Sequence, residues 1–310
     1  MKKFILPILA VLGLLCGCQK SASSSGEVDV TLNVTPSVVS KATLDGDGAA
    51  ANVNRYILEI YTDNGATFYN RLSQVVTAGT TTAQFTFKLV VGQTYTFLVW
   101  ADCGNADGSD LYYKTDVNLK EVSMIGTYVG NNDARDAFCA SETIPVNAAI
   151  TQIITLKRPF AQLNIVTTDI DEIRQDYLLP QQFTLTFRAK NAYNVLTGEC
   201  TGGDTDITYT AEPYYQTYRT AELESDRLAE KKWTLSMDYI FAPAAEAQIA
   251  GVKMDLQANG NALPQHVFSN VPFRRNWRTN IYGNLLTGDV TYNIVIDPDW
   301  DDDFEISIFK

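Results

Sequence analysis

The chain is short of the residues that carry catalysis. Its 310 residues include one histidine, His266, and five cysteines with no CxxC pair among them. His266 stands in Leu263-Pro264-Gln265-His266-Val267-Phe268, beside a proline turn and away from any nucleophile motif, so a Ser-His-Asp arrangement has no footing. No G-x-S-x-G, HExxH or P-loop string occurs, and nothing has metal-ligand spacing. Carboxylate pairs such as Glu222 and Glu224 are common in an acidic chain and do not single out a glycosidase. The expectation is a protein without catalysis, metal or cofactor. Basic residues are also scarce, 24 against 36 acids for a formal charge of −12, which disfavours nucleic acid and anionic lipid as partners. Helical periodicity is nearly missing. Residues 169–177, capped by Asp169, and the polar stretch 221–232 are the candidate short helices.

What the chain has in quantity is alternation. Val28, Val30, Leu32 and Val34 alternate with polar neighbours, as do Tyr56, Leu58 and Ile60, and Phe85, Phe87 and Leu89. A turn at Val90-Val91-Gly92-Gln93 leads into Tyr95, Phe97 and Val99. Further runs cover 150–156, 162–167, 183–187, 233–241, 252–256 and 292–296, and Phe304, Ile306 and Ile308 close the chain. Period-two patterning with β-branched and aromatic residues marks strands wet on one face and buried on the other, as in antiparallel sandwiches. The fold class expected is all-β, with two sandwiches in tandem. Lys157-Arg158-Pro159 is the junction, since a strand runs into it, proline interrupts pairing and a new run starts at Ala161. That gives an N-terminal sandwich over 28–158 and a C-terminal one over 159–310.

The first residues, MKKFILPILAVLGLLCGC, have a basic start, an apolar run too short to span a bilayer, and small residues before a cysteine. The Leu15-Cys16-Gly17-Cys18 string resembles the lipobox of bacterial lipoproteins. The resemblance implies removal of residues 1–17 as a signal peptide and acylation of Cys18, with several acyl chains holding the protein on a membrane. Loss of Lys2 and Lys3 takes the charge from −12 to −14. Residues 18–27 then form a flexible polar tether. Cys103, Cys139 and Cys200 remain, enough for one internal disulfide. Three pairings are open, and Cys103 with Cys139 is favoured because both fall in the first half.

Two stretches go beyond generic β-protein. One comprises Asp136-Ala137-Phe138, residues 150–156 and Lys157-Arg158-Pro159-Phe160-Ala161-Gln162-Leu163-Asn164-Ile165. The other runs from Val271 to Thr287 and contains Arg275-Asn276-Trp277-Arg278-Thr279-Asn280-Ile281-Tyr282-Gly283-Asn284. Both resemble the fimbrillin-type lipoproteins of Bacteroides-like bacteria. The resemblance implies two transthyretin-like, Greek-key β-sandwiches end to end, serving as a pilus subunit or its anchor in surface adhesion. It implies an outer-membrane lipoprotein, facing the cell surface or built into a fimbrium, with other fimbrial subunits and a surface receptor as partners. In polymerising members a cut after a basic residue removes the anchor and first strand, and a neighbour's strand fills the groove. Here the removable strand is 28–34 and the cut falls before residue 55. Lys41 is the one basic residue between those strands, Arg55 being the less accessible choice at a strand edge. The best-known members are cut after arginine, so Lys41 departs from the pattern, and an ordinary solvated lysine is the other reading. Phe304, Ile306 and Ile308 suit either a donor strand or the last strand of the second sandwich. The acids at Asp299 and 301–303 lack the spacing and glycine of a calcium loop and read as a solvated turn.

Two further readings accompany this one. The 278–282 string reads as a strand of the second sandwich, with Ile281 buried, Arg278 pairing locally and Gly283 allowing close backbone approach. The rival function is a monomeric, lipid-anchored glycan binder, with Trp277, Trp300 and the Tyr214-Tyr215-Gln216-Thr217-Tyr218 cluster as stacking platforms.

Overall fold

A computed structural model describes residues 26–37, 50–170, 179–214, 232–287 and 291–297. The strands among the described residues are β1 (Glu27–Pro36), β2 (Arg55–Thr62), β3 (Thr67–Val75), β4 (Ala83–Val90), β5 (Gln93–Asp102), β6 (Tyr113–Lys114), β7 (Val122–Met124), β8 (Phe138–Val146) and β9 (Ile150–Leu156). They continue as β10 (Phe160–Thr167), β11 (Gln182–Asn194), β12 (Glu199–Ala211), β13 (Trp233–Phe241), β14 (Ala247–Ala258), β15 (Asn261–Ala262), β16 (His266–Phe273), β17 (Arg278–Gly283) and β18 (Tyr292–Asp297). The chain is all-β, as the alternation predicts. The two stretches read as short helices fall mostly on 171–178 and 215–231, outside the described residues.

Two pairs of sheets face each other. A β4-β1-β9 sheet packs on a β3-β2-β5-β8 sheet, and the core between them holds Val30, Leu32 and Val34 with Tyr56, Leu58, Phe85, Phe97 and Phe138. The second pair sets β13-β10-β17-β18 against a larger sheet ordered β15-β14-β11-β7-β6, with β12 also on β11 and β16 also on β14. Its core runs through Leu163, Ile165, Phe183, Leu185, Phe187, Met254, Phe268 and Ile281. The short β6 and β7 precede the junction in sequence, yet β7 pairs with β11. Both sandwiches open alike. β1 lies between antiparallel β4 and parallel β9, and β10 lies between antiparallel β13 and parallel β17.

A third apolar cluster joins the halves. Trp100 and Leu98, on the outer face of β5, meet Tyr113, Phe160, Tyr193, Tyr239 and Phe241. Phe241 stacks on Phe160 at 4.9 Å and on Tyr193 at 5.7 Å between centroids. Around the junction the Arg158 guanidinium grips Asp136, Nη2 to Oδ2 at 2.8 Å and Nε to Oδ1 at 2.9 Å, and lies over the Phe138 ring. A backbone bridge between Cys139 and Lys157 closes the same place. Packed aromatics therefore join the halves, while the buried Arg158–Asp136 pair and the Cys139–Lys157 bridge fix the end of the first half at the junction.

The run 233–241 departs from the single-face reading. A register shift against β10 leaves Leu235 as the extra residue, since Ile165 faces Ser236 while Val166 faces Thr234. Trp233 and Leu235 enter the second core, whereas Met237, Tyr239 and Phe241 face the joining cluster. The bulge turns Asp238 inward, where it is fully buried beneath Tyr209, whose hydroxyl donates to Oδ1 at 2.8 Å. Gly130 passes close by. A Cβ there would lie 2.2 Å from Tyr209 Oη and 2.4 Å from Asp238 Oδ1. Gly130→Ala is accordingly expected to cost about 1–3 kcal/mol in urea unfolding, through overpacking. A neutral result would mean that the loop can withdraw.

Candidate strand-exchange site

The first strand holds the place that a removable strand needs. In β1, inward side chains alternate with outward ones, and Val30, Leu32 and Val34 are completely buried. The antiparallel register with β4 runs from Glu27↔Val90 to Val34↔Ala83, and the parallel register with β9 from Val30↔Ile150 to Pro36↔Leu156. The strand ends where Ser37 N donates to Leu156 O at 2.7 Å. Burial of the three inward side chains stabilises the sheet by about 5–9 kcal/mol in all, at ~1.5–3 kcal/mol each. The outward row is polar and shallow. Gln84 Nε2 donates to Asn33 Oδ1 at 3.0 Å, Thr35 and Thr82 hydroxyls lie 3.3 Å apart, and Lys88 meets Asp29 at 3.0 Å as an exposed pair of small worth. Specific seating comes from the inward face, and the outward face adds register.

The segment between β1 and β2 includes Lys41 and lies largely outside the described residues, as do Cys18, Phe304, Ile306, Ile308, Trp300 and the acids 299–303. Arg55, the other basic candidate, is 2 % exposed. Its Nε and Nη2 reach Asp102 at 2.8 and 2.7 Å, and Nη1 reaches Asp110 at 2.7 Å. Burial alone would lower this guanidinium's pKa, but hydrogen bonds and charge from Asp102 and Asp110 raise it instead. Burial likewise works against the Asp110 carboxylate, and Thr115 with Arg55 holds it below its ordinary value. A protease reaching for Arg55 would have to unfold β2.

Other expectations meet mixed outcomes. Cys103, Cys139 and Cys200 all carry free thiols, so the Cys103–Cys139 disulfide is not formed. Cys139 sits opposite Trp100 in the β5–β8 ladder, facing the joining cluster, while Cys103 lies in the loop past the end of β5. Burial pushes the Cys139 thiol up to about 12, which leaves it unreactive. His266 is fully buried, with Nε2 2.7 Å from Leu285 O and its ring stacked on Phe268. That is a structural histidine. Tyr214 is buried with its hydroxyl on Asp133 at 3.0 Å, and Trp277 is half-buried under Arg274. Neither makes an open stacking platform.

The two distinctive sequence stretches prove to be neighbours. β10 and β17 pair in parallel, Gln162 beside Arg278 and Asn164 beside Asn280. Arg278 Nε donates to Gln162 Oε1 at 2.8 Å, and Asn164 Nδ2 to Asn280 Oδ1 at 2.9 Å. Ile281 is buried, and a Cβ at Gly283 would meet Thr291 O at 2.9 Å. The strand reading of 278–282 therefore holds. The helix that Asp169 would cap lies mostly outside the described residues, and Asp169 itself faces the turn after β17. Its Oδ2 accepts from Leu286 N, Thr287 N and Thr287 Oγ1 at 2.8–2.9 Å, fixing the turn after β17. Asp238, which sequence reasoning missed, was signalled by a lone carboxylate inside an otherwise uncharged strand.

Comparison with known proteins agrees with this architecture. The family described as a family of unknown function (DUF6562) matches residues 21–308. The tip fimbrial protein Mfa3 of Porphyromonas gingivalis superposes with a TM-score of 0.53 at 12% identity, over 88% of this chain and 99% of that one. A candidate polysaccharide-binding protein of Bacteroides thetaiotaomicron gives 0.51 at 9% identity, over 87% and 96%. A candidate adhesin of the same species gives 0.50 at 10%, over 89% and 98%. Identities this low carry the fold alone. No curated protein matches by sequence.

Proposed function

We propose that this chain, which belongs to the family of unknown function DUF6562, is a non-catalytic cell-envelope lipoprotein that acts as a fimbrial subunit or anchor in surface adhesion and assembles by β-strand complementation. The observation that carries the reading is the position of β1. It is the middle strand of its sheet, and it precedes a segment rich in small residues that holds Lys41. Cleavage there would free β1 and leave a slot between β4 and β9 lined by the partners of Val30, Leu32 and Val34. The arrangement of parts is a signal over 1–17, a tether over 18–27 with lipid on Cys18, and sandwiches over 28–158 and 159–310. The outer membrane, through the lipid, and other fimbrial subunits are the partners, and the fold shared with a tip fimbrial protein supports the surface location.

The tail supplies the matching strand. Phe304-Glu305-Ile306-Ser307-Ile308 repeats the order of Val28-Asp29-Val30-Thr31-Leu32 as apolar, acid, apolar, hydroxyl, apolar. Laid in that register from a neighbouring copy, Glu305 would take the place of Asp29 opposite Lys88, and Ser307 that of Thr31 opposite Thr86. Two measurements test this. Protein from cell envelopes is expected to start at Ala42 and to run as a high-mass ladder without boiling. A start at lipidated Cys18 with a single band would remove the stalk role and leave the anchor. In vitro, a synthetic 302–310 peptide is expected to raise the Tm of a chain lacking residues 1–41, and its Ile306→Asp form is not. Equal effects of the two peptides would overturn strand complementation by the tail.

A further inference from the structure

Beside the end of β9, where the halves meet, lies a cleft of about 310 Å³. That is the low end of the range for small-molecule sites, about 300–1,000 Å³. One wall carries Ser141 and Glu142 of β8 with Thr155 and Lys157; the other carries Thr197 from the β11–β12 turn and Arg275 from the turn before β17. Arg275 is half-buried and held in one pose. Its Nη1 donates to Tyr193 Oη and to Gly198 O at 3.2 Å, while Nε and Nη2 have no partner among the described residues. Gly198 has φ +71°, and a Cβ there would lie 2.7 Å from Nη1, so glycine leaves the room in which the guanidinium rests. Glu199 acts on Arg275 through space and does not pair with it. Lys157 is exposed on the same cleft and makes no ion pair among the described residues.

We infer that this cleft binds a carboxylated sugar of the hexuronic-acid type, with the open edge of Arg275 taking the carboxylate and Lys157 the second cation. A guanidinium offering two parallel N–H donors matches a carboxylate in plane and spacing, which a lysine alone does not. The Ser141, Thr155 and Thr197 side chains supply hydroxyls of the kind that pair with sugar hydroxyls. Glu142, the one acid of the wall, opposes a second negative charge and suits a ligand carrying one. The net charge of −12 points the same way: it repels a polyacidic peptide at long range, whereas a single carboxylate feels chiefly the local cations. The site does not depend on strand exchange, since none of its residues belongs to β1.

The test is calorimetric titration of the chain from residue 19 onward with glucuronate, glucose and a Glu-rich peptide. Saturable binding of glucuronate and none of glucose are expected. Arg275→Gln should weaken glucuronate binding by about tenfold or more, and Lys157→Gln by about two- to fivefold, with salt weakening both. Because Arg275 also braces Tyr193, the exposed Lys157→Gln decides wherever the Arg275 variant does not fold. Unchanged affinity in Lys157→Gln, or glucuronate bound no better than glucose, overturns the site. Tighter binding of the peptide than of glucuronate overturns the sugar assignment in favour of a protein partner.

Discussion

Replacing Leu32 by aspartate is expected to unfold the N-terminal sandwich at 25 °C. Leu32 is fully buried at the middle of β1, opposite Phe85 on β4 and Gln152 on β9. Loss of its volume alone costs about 2–5 kcal/mol. A carboxylate in its place adds the penalty of an unpaired charge in an apolar core, another several kcal/mol. The sum reaches the ~5–15 kcal/mol that a whole domain has to spare. Asn33→Asp, one residue on and facing outward, should stay within about 1 kcal/mol, since a carboxylate oxygen there still accepts from Gln84 Nε2 and the change is otherwise at the surface. Urea unfolding followed by near-ultraviolet dichroism separates the two, because Trp100 and the tyrosines report on tertiary packing. A loss below about 2 kcal/mol for Leu32→Asp would mean that β1 is not seated in the core. The same measurement gauges what an incoming strand recovers on filling the slot.

The legible parts of this fold are the strands whose two faces differ. β1 and β4 announce themselves because one row of side chains is buried while polar residues fill most of the other, and β2 and β5, buried on both faces nearly throughout, because Glu59, Thr94 and Thr96 interrupt their second row. β3 and β12 do not, since both of their faces are largely wet, and β12 is rich in threonine, glycine and aspartate. Alternation also stays silent about partners. The side chains of β1 predict a half-buried strand, but its parallel pairing with β9 follows from the whole topology, and so does the pairing of β10 with β17. The candidate slot was readable as a strand and a link, whereas its central position was not. The Arg275 cleft was not readable at all. Its residues come from β8, β9, the β11–β12 turn and the turn before β17, separated by more than a hundred positions, and only folding brings them together. In β13 a bulge at Leu235 changed which residues face which core, and period two has no means of predicting a bulge.

That bulge leads to the second large effect, a stability that falls as pH rises toward neutrality. Burial raises the Asp238 carboxyl from its ordinary 3.8 to about 7, and the Tyr209 and Tyr128 hydroxyls and the Arg135 charge reverse this only in part. Oδ2 has no hydrogen-bond partner in its buried position. Below about pH 4 the carboxyl is protonated folded or unfolded and costs nothing. Between about 4 and 7 the folded chain keeps a proton that the unfolded chain has released, so raising the pH favours unfolding by about 1.4 kcal/mol per unit. Above about 7 both states are ionised, and the accumulated penalty, about 4 kcal/mol at most, no longer grows. Asp238→Asn keeps an oxygen for Tyr209 and removes the charge. The difference in unfolding free energy between variant and parent is therefore expected to be small at pH 4.5 and to grow to several kcal/mol in the variant's favour at pH 8. Comparing the two proteins at each pH cancels every other titrating group. A difference independent of pH would mean that the carboxyl is ionised in the folded protein throughout, with Arg135 compensating it fully. A growing difference would show a carboxyl kept neutral beneath the bulge, with β13 carrying a proton into the core of the second sandwich.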